Sequence, residues 1–328
     1  MSSWEGSGGP ATGAVQTTAE TAGTLLAEVE KAVVGKREVL ELVLAGLLAD
    51  GHVLLDDVPG VAKTLTARSF ARAAGLDFSR VQFTPDVLPA DVTGATILDL
   101  ASNQPVFRHG PVFAQLILAD EVNRAPGKTQ SALLEAMQEG QVTVDGETHP
   151  LPEPFLVIAT QNPIESEGTY PLPEAQLDRF ILRTTVGYPG ADEEVELLGR
   201  RLERGKDEVD LEPVVTASDF AGMQASLEDV HVEESLREYA VAVVEATRAS
   251  GQLEVGASPR GSLALVKLAR ARAVIRGRAF VTPDDFRAIA VPALAHRVVL
   301  RAEVWARQIS PEEVVQGIVD TVPAPSWQ

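Results

Sequence analysis

The first half of the chain contains five short apolar runs, each bounded by turn-forming residues. The runs are HVLL (52–55), RVQF (80–83), LILA (116–119), FLVIAT (155–160) and FILRTTV (180–186). Continuous apolar runs of this length are typical of strands that are buried on both faces of a sheet. Helical patterns lie between them, as in AKTLTARSFARAAG (62–75) and TQSALLEAMQEG (129–140). Strands that alternate with helices predict an α/β fold built on a parallel sheet.

The alternating pattern ends at VGYPG, residues 186–190, where we predict a hinge. Beyond this hinge the periodicity is helical, and three helices are predicted to begin at Ser258, Thr282 and Ser310. Each of these residues precedes a proline, and a hydroxyl cap followed by proline is a strong signal for a helix start. Residues 190–328 are therefore predicted to form an all-α domain.

The first 22 residues are rich in Gly, Ser and Thr, and they contain neither a basic start nor an apolar run. This composition predicts a disordered leader, residues 1–22, and no signal peptide. The α/β domain is accordingly predicted over residues 23–189. Two hairpin-like inserts interrupt it, at 95–111 and 141–151, and the second contains the strong turn signal Asp-Gly.

The overall composition narrows the classes of function. The chain carries 28 Lys and Arg against 47 Asp and Glu, a net charge of −19, which disfavours nucleic-acid binding. It has no cysteine, which excludes disulfides, thiolate metal sites and cysteine nucleophiles. Its most apolar stretch, residues 40–55, is too short and too polar to cross a bilayer. We therefore expect a cytoplasmic protein with no membrane span.

The stretch DDVPGVAKT follows the first strand and approximates the phosphate-binding pattern G-x-x-x-x-G-K-[ST]. Lys63 and Thr64 match the pattern, and Gly60 supplies a turn residue, but Asp57 and Ala62 occupy the glycine positions. We expect Ala62 to adopt right-handed backbone angles at the helix start. We also expect the charge of Asp57, if it lies near the phosphates, to weaken ATP binding. Taken alone, the loop is as consistent with an ordinary Pro-Gly turn.

Two further strands end in polar residues that suit ATP hydrolysis. Asp120 and Glu121 follow LILA, where the first would hold Mg²⁺ through water and the second would polarise the attacking water. Asn162 follows FLVIAT and would touch the γ-phosphate or the water. The alternatives are a solvated strand end for the acidic pair and a turn-forming role for Asn162. Three such strand ends together indicate an ATP-hydrolysing site more specifically than any one of them does.

Two arginines are candidates for transition-state contacts. Arg179 precedes the last strand, from which it would reach the nucleotide of a neighbouring subunit. Arg260 lies in the first turn of a helix in the second domain, from which it would close onto the γ-phosphate. The alternatives are a surface ion pair of Arg179 with Asp178 or Glu174 and a solvated position for Arg260.

Three stretches resemble the MoxR family of AAA+ ATPases almost word for word. They are QFTPDVLPADVTG (82–94), LADEVNRAPGKTQSALLEAMQEGQVTVDG (118–146) and ATQNPIESEGTYPLPEAQLDRF (159–180). The resemblance implies a P-loop AAA+ core, with a parallel sheet flanked by helices, followed by an all-α lid domain. It also implies a homo-oligomeric ring, most simply a hexamer. The sequence V-P-G-x-A-K-T looks like a loop variant that this family accepts.

The resemblance further implies that ATP and Mg²⁺ are bound. The implied nucleotide-binding residues are Val34, Gly35, Pro59, Gly60, Val61, Ala62, Lys63, Thr64, Leu65, Asp120 and Arg260. Thr64 and Asp120 would also be the protein ligands of the metal. Glu121, Asn162 and Arg179 match the catalytic glutamate, the sensor 1 residue and the arginine finger of the family. Arg260 matches the residue called sensor 2, and Val34 and Gly35 would lie at the adenine.

MoxR-like proteins are taken as chaperone-like ATPases that act with von Willebrand factor A-domain partners. The resemblance therefore implies a protein client and a partner of that kind. The inserts at 95–111 and 141–151, similar to the helix-2 insert and the pre-sensor-1 hairpin, contain almost no Lys or Arg, which disfavours DNA. One alternative is a nucleic-acid motor, for which the basic stretch KLARARAVIRGR (267–278) is the best support. The other is a nucleotide-sensing scaffold with little turnover.

Overall fold

The computed structural model describes residues 13–101, 103–163 and 169–325. The strands are β1 (His52–Asp56), β2 (Phe78–Gln82), β3 (Gly94–Asp99), β4 (Gln104–His109), β5 (Leu116–Asp120), β6 (Gln141–Val144), β7 (Glu147–Pro150), β8 (Leu156–Gln161), β9 (Phe180–Thr184), β10 (Leu253–Val255) and β11 (Val299–Leu300). The helices are α1 (Gly13–Glu30), α2 (Arg37–Leu48), α3 (Lys63–Ala73), α4 (Pro89–Thr93), α5 (Gly127–Glu139), α6 (Glu174–Leu177), α7 (Ala191–Arg204), α8 (Ala217–Ala225), α9 (Glu234–Ala249), α10 (Pro259–Ile275), α11 (Pro283–Leu294), α12 (Ala302–Trp305) and α13 (Pro311–Thr321).

Five strands form one parallel sheet in the order β2-β5-β8-β1-β9. They coincide with the five apolar runs of the sequence, so the predicted parallel α/β fold is confirmed. Strand β8 lies between β5 and β1, which makes the carboxyl ends of these three strands neighbours at one edge. These are the strands that precede Asn162, the Asp120–Glu121 pair and the phosphate loop.

Both faces of the sheet are buried, which explains why its strands are continuously apolar. Val53 and Leu55 of β1 face a core that contains α1, α2, α3 and the second domain. Leu54, between them, faces a separate core formed with α4 and α5. Successive strand residues point to opposite faces, so a strand covered on both sides needs an apolar residue at every position.

The second domain, called the lid below, contains α7 to α13 and is helical as predicted. Its helices α10, α11 and α13 begin where the cap–proline signals placed them, and the side chains of Ser258 and Ser310 accept hydrogen bonds from backbone N–H groups of the first turn. The antiparallel pair β10–β11, whose strands have three and two residues, was not predicted. Strands this short show no measurable alternation.

Helix α10 connects the two domains through the main hydrophobic core. Its residues Leu265 and Leu268 are fully buried in the same cluster as Leu40 and Leu44 of α2. The pattern of apolar residues in α10 extends around much of the helix, as expected for a helix that packs on several neighbours.

The predicted disordered leader is wrong for residues 13–22, which belong to the 18-residue helix α1. Val15, Thr18, Ala22 and Leu25 are buried, and their three- and four-residue spacing forms one face of the helix. The Gly and Thr content of this segment concealed the stripe, because Thr17, Thr21 and Gly23 lie between its members and Thr18 is itself one of them. Residues 1–12 lie outside the described part of the chain.

Across residues 13–101, 103–163 and 169–325, no helix is both long enough and apolar enough to span a membrane.

Candidate active site

The phosphate loop connects β1 to α3 and contains two residues with left-handed backbone angles. Gly60 has φ +83°, as expected for the turn residue, and a side chain here would meet open space. Ala62 has φ +61° and ψ 21°, so the prediction of right-handed angles at this position is wrong. The general pattern places glycine here because the left-handed conformation penalises any residue with a Cβ atom. Ala62 is the smallest residue that bears this penalty.

Lys63 is buried in the centre of the loop, with 9% of its surface exposed. Its Nζ donates hydrogen bonds to the main-chain carbonyls of Asp57 and Gln161, the latter at 3.0 Å. Burial lowers the pKa of Lys63, and the neighbouring carboxylates of Asp57 and Asp120 oppose that effect. The ammonium group is therefore held by neutral carbonyl oxygens, which a phosphate would readily displace.

The carboxylate of Asp57 is held by three backbone N–H groups. One oxygen accepts from Val58 N at 2.7 Å, and the other accepts from Val186 N at 2.8 Å and Gly187 N at 2.6 Å. Only 8% of Asp57 is exposed. The expectation that this charge acts on the phosphates assumed a free carboxylate, whereas the side chain is bound to the hinge.

Asp120 ends β5 beside the first turn of α3. Its Oδ2 lies 3.4 Å from Thr64 Oγ1, and its Oδ1 accepts a 2.6 Å hydrogen bond from Thr160 Oγ1. Hydroxyl and carboxylate oxygens are ligands that Mg²⁺ prefers, so Thr64 and Asp120 fit this metal. Oδ2 also accepts from Arg80 Nη2 at 2.7 Å and Nε at 3.1 Å. Arg80, which reaches Asp120 from the neighbouring strand β2, was not identified from the sequence.

Glu121 has left-handed backbone angles, with φ +57° and ψ 47°. Its backbone N–H donates to Thr160 Oγ1 at 2.9 Å. Its carboxylate accepts hydrogen bonds from Gln82 Nε2 at 2.9 Å and from Arg124 Nη1 at 3.0 Å. Neither Gln82 nor Arg124 was identified from the sequence. Strained backbone conformations of this kind cluster at functional sites, where surrounding contacts maintain them.

Asn162 follows β8 and is almost completely buried, with 3% of its surface exposed. Its main-chain carbonyl accepts a 3.3 Å hydrogen bond from Asn123 Nδ2. Because β8 lies between β5 and β1, Asn162 stands between the Asp120–Glu121 pair and the phosphate loop. The structure thus brings together the three strand ends that the sequence singled out.

The segment implied to contact adenine lies between α1 and α2, next to the start of the lid. Val34 is buried, and Gly35 has φ +71°. A Cβ atom on Gly35 would lie 2.1 Å from the side chain of Glu193, in the first turn of α7. Lys36 Nζ donates a 2.7 Å hydrogen bond to the carbonyl of Tyr188 in the hinge. This segment, which is predicted to bind the base, therefore contacts both the hinge and the first lid helix.

The remaining loop residues divide between the core and the surface. Val61 is packed into the main core with 4% exposure. Pro59 and Leu65 are exposed, and 37% of the Leu65 surface is accessible. Pro59 and Leu65 therefore remain accessible to a ligand above the loop.

Arg179 and Arg260 lie at the opposite edge of the sheet from the phosphate loop. Residue Phe180, which begins β9, pairs with His52, which begins β1, whereas the loop follows the other end of β1. Both arginines line a cleft of about 270 Å³ that also contains Gly51. A strand of five residues is about 17 Å long, so Arg260 does not reach the phosphate loop of its own chain. The predicted contact of Arg260 with the γ-phosphate stays a prediction.

Asp178 organises the lid side of this cleft. It accepts hydrogen bonds from Arg297 Nη1 at 2.5 Å and Ser258 Oγ at 3.0 Å, and it lies 3.9 Å from Arg260 Nη1. Among the described residues Arg179 forms no ion pair, and its buried Nε has no hydrogen-bond partner. The alternative in which Arg179 pairs with Asp178 or Glu174 is thus not observed. Arg297, which also donates to the carbonyl of Phe180 at 2.7 Å, was not identified from the sequence.

Comparisons with known proteins give a consistent result. A family model described as "ATPase family associated with various cellular activities (AAA)" matches residues 52–182, and an AAA lid domain model matches residues 245–318. The chain is 47% identical to YeaC of Bacillus subtilis over 92% of this chain and 94% of that protein. It is 46% identical to Chaperone MoxR1 of Mycobacterium tuberculosis over 91% and 81%. A crystal structure of a candidate ATPase from Cytophaga hutchinsonii superposes with a TM-score of 0.88 at 38% identity, covering 95% and 97%.

Proposed function

Since this chain belongs to the MoxR family of AAA+ ATPases, we propose that it hydrolyses ATP at the interfaces between subunits of a ring and thereby remodels a protein client. The observation that carries this proposal is the division of the site between two edges of one sheet. Lys63 and the Asp120–Glu121 pair lie at the carboxyl edge, whereas Arg179 and Arg260 lie at the amino edge. A second subunit that presents its amino edge to this carboxyl edge would complete the site.

At the carboxyl edge the chain's own residues hold the nucleotide. Lys63 would exchange its two carbonyl partners for phosphate oxygens, and the backbone N–H groups of the loop would cradle them. Thr64 and Asp120 are the residues that would hold Mg²⁺, whose charge, when it is bound, offsets the charge that develops on the phosphate oxygens. Arg80 of β2 forms an ion pair with Asp120, and this pair would have to open for the metal to bind.

The catalytic steps fall to residues that the fold holds in fixed orientations. Glu121 orients and polarises the attacking water, and Gln82 and Arg124 fix the direction of its carboxylate. Asn162 positions the same water from the neighbouring strand end. Arg179 of the adjacent subunit stabilises the charge of the transition state, with Arg260 beside it in the same cleft.

A protein is the client that the two inserts suit best. The hairpin β3–β4 exposes Ile97, Leu98 and Leu100, with 46%, 56% and 89% of their surfaces accessible. The hairpin β6–β7 contains no Lys or Arg. Exposed apolar side chains on one hairpin and the absence of basic residues from the other favour polypeptide over a phosphate backbone. Hexameric assembly, a von Willebrand factor A-domain partner and a cytoplasmic location complete the proposal.

Mixing two inactive variants tests the shared site. Lys63→Ala removes phosphate binding and Arg179→Ala removes the arginine from the interface, so each variant alone should lose at least about 100-fold in ATP turnover. In a one-to-one mixture that exchanges subunits, one interface in four combines an intact lysine with an intact arginine. ATP turnover should therefore recover to about a quarter of the unmutated rate, as measured by phosphate release.

Arg287→Ala is the matched control, because this arginine is half-exposed and lies on the surface of α11. It should retain full turnover alone. An Arg179→Ala protein that remains active alone would show that each chain has a self-sufficient site. Absence of turnover in the unmutated chain at every concentration would instead support the nucleotide-sensing scaffold.

A further inference from the structure

We propose that Asp57, which stands where phosphate-binding loops generally have glycine, is a positioning residue that couples the phosphate loop to the lid. Its carboxylate binds the hinge, residues 186–190, and its backbone contacts the groups that meet the phosphates. Nucleotide binding at the loop would thus change the hinge through one residue. This inference rests on the proposed ATP site, and its test separates the two.

The hinge contact is specific and buried. Asp57 Oδ2 accepts hydrogen bonds from the consecutive N–H groups of Val186 and Gly187, at 2.8 and 2.6 Å. These residues are 129 and 130 positions away in the chain, directly after β9. Hydrogen bonds from N–H groups to a buried carboxylate are stronger than those between neutral groups. Glycine at position 57 could make neither of them.

The backbone of Asp57 is bonded to the parts of the site that must respond to a phosphate. Its carbonyl accepts a hydrogen bond from Lys63 Nζ, and its N–H donates to the carbonyl of Gln161 at 3.2 Å. Lys63 also donates to the carbonyl of Gln161, at 3.0 Å. When Lys63 turns to a phosphate, the carbonyl of Asp57 loses its hydrogen bond from Lys63. Asp57, whose carboxylate binds the hinge, is then held less firmly by the phosphate loop.

The hinge leads directly into the lid. Gly187 has φ +69°, and α7 begins four residues later, at Ala191. The hinge is also held at the base-binding segment, where Lys36 donates to the carbonyl of Tyr188. The direction in which the lid leaves the sheet is therefore fixed at two points, one beside the base and one at Asp57. A change at either point alters the position of the lid relative to the phosphate loop.

The test uses hydrogen exchange of the hinge amides, followed by mass spectrometry of peptides that cover residues 185–190. In the unmutated full chain, exchange should differ at least about threefold between the nucleotide-free protein and the protein saturated with a non-hydrolysable ATP analogue. Asp57→Gly, which restores the general glycine, should exchange quickly in both states and lose that difference. Asp57→Asn, whose amide oxygen can still accept from the hinge, should retain part of it.

Steady-state kinetics supply a second measurement. If Asp57 had a purely structural role, its substitution would not change kcat and KM in the pattern expected here. Asp57→Gly should lower kcat about tenfold while KM for ATP stays within about twofold, because the phosphates keep their own ligands. The kcat of Asp57→Asn should lie between those of the unmutated chain and Asp57→Gly. The exposed Asp86→Asn is the matched control for loss of one acidic charge, and it should leave exchange and kcat unchanged.

Three results would overturn the coupling. One is an Asp57→Gly protein that keeps the nucleotide-dependent difference in exchange. A second is an Asp57→Gly protein that no longer binds ATP. The third is an unmutated chain that hydrolyses ATP with no change at the hinge, and this leaves the proposed function intact. An unmutated chain that binds no ATP would overturn both proposals. Asp57→Asn and thermal melting of each variant distinguish lost coupling from lost folding.

Discussion

Two residues of the site, Ala62 and Glu121, hold left-handed backbone angles without being glycine. Each such residue costs about 1 kcal/mol relative to a relaxed conformation. At Glu121 the contacts that maintain this conformation are those of the site, since Glu121 is bonded through its backbone to Thr160 and through its side chain to Gln82 and Arg124. The protein therefore loses some folding stability at the two positions where the backbone orients the phosphate loop and the Glu121 carboxylate.

His296 makes the stability of the protein depend on pH. It is buried between the lid and β9, where its Nε2 donates to the carbonyl of Phe180 at 3.0 Å. Burial, reinforced by the charge of Arg297, lowers the pKa of His296 from 6.5 to about 3. The unfolded chain then binds a proton near pH 6.5 that the folded chain refuses until about pH 3. Stability is fully present above pH 6.5 and falls as the pH falls through this window, by about 2 kcal/mol between pH 7 and pH 5.

Urea denaturation of the parent and of His296→Gln at pH 7 and pH 5 measures this contribution. Glutamine keeps an N–H donor for Phe180 and does not titrate, so the variant should lose about 2 kcal/mol less than the parent between the two pH values. The comparison cancels the contribution of His52, whose pKa burial also lowers. Equal losses in parent and His296→Gln would remove His296 as the cause.

At the scale of single residues, the sequence was informative wherever a function depends on local spacing. Lys63 and Asp120 could be predicted because each follows an apolar strand at a fixed distance. The partners of these residues could not be predicted in the same way. Arg80 reaches Asp120 across 40 residues and Asp57 reaches the hinge across 129, and no local pattern encodes which side chain crosses such a distance.

Among the elements, the two hairpins that interrupt the core domain are joined by aromatic contacts. Phe107 of β4 stacks on His149 of β7, with ring centroids 4.0 Å apart and planes at 14°. His109 of β4 stacks on Phe113 at 4.1 Å and 18°. An isolated two-stranded hairpin is marginally stable. We infer that these rings hold the hairpins β3–β4 and β6–β7 together as one unit above the sheet.

A double-mutant cycle on Phe107 and His149 measures that link. Phe107→Ala, His149→Ala and the double variant should give a coupling energy of about 1 kcal/mol in urea denaturation, as expected for a stacked aromatic pair. The pair Phe107→Ala and Glu147→Ala is the control and should show a coupling near zero, because Glu147 is exposed and lies outside the rings. Coupling near zero for Phe107 and His149 would mean that the hairpins are independent.

Turn chemistry made the hairpin β6–β7 predictable, since Asp145 and Gly146 each adopt the positive φ that such a turn requires. The contact between the two hairpins was not predictable, because it depends on how the loops at 110–115 and 150–155 leave the sheet. Helix α1 was missed for the opposite reason. Its composition suggested disorder although its spacing was helical, and only the helical face that packs against the core decides between the two.

For the whole molecule, the basic stretch at 267–278 was the best support for a nucleic-acid motor. The structure pairs its arginines with acidic residues. The pairs are Arg270 with Glu228, Arg272 and Arg278 with Asp285, and Arg276 with Glu41. Three of the four have nitrogen–oxygen distances of 2.7 or 2.8 Å. These cations stabilise the lid and its contact with α2, so they do not form a free basic surface.

DNA is accordingly expected to leave ATP turnover unchanged. With a net charge of −19 and the arginines of this stretch paired, the protein would repel a phosphate backbone, and binding would release few counterions. The rate of phosphate release should stay within about twofold of the DNA-free rate with single-stranded or duplex DNA, at both 50 and 200 mM salt. Polyglutamate of the same length is the control for unspecific charge effects. Stimulation by DNA that weakens steeply with salt would mean that the arginine pairs open to bind phosphates, and it would favour the motor over the protein remodeller.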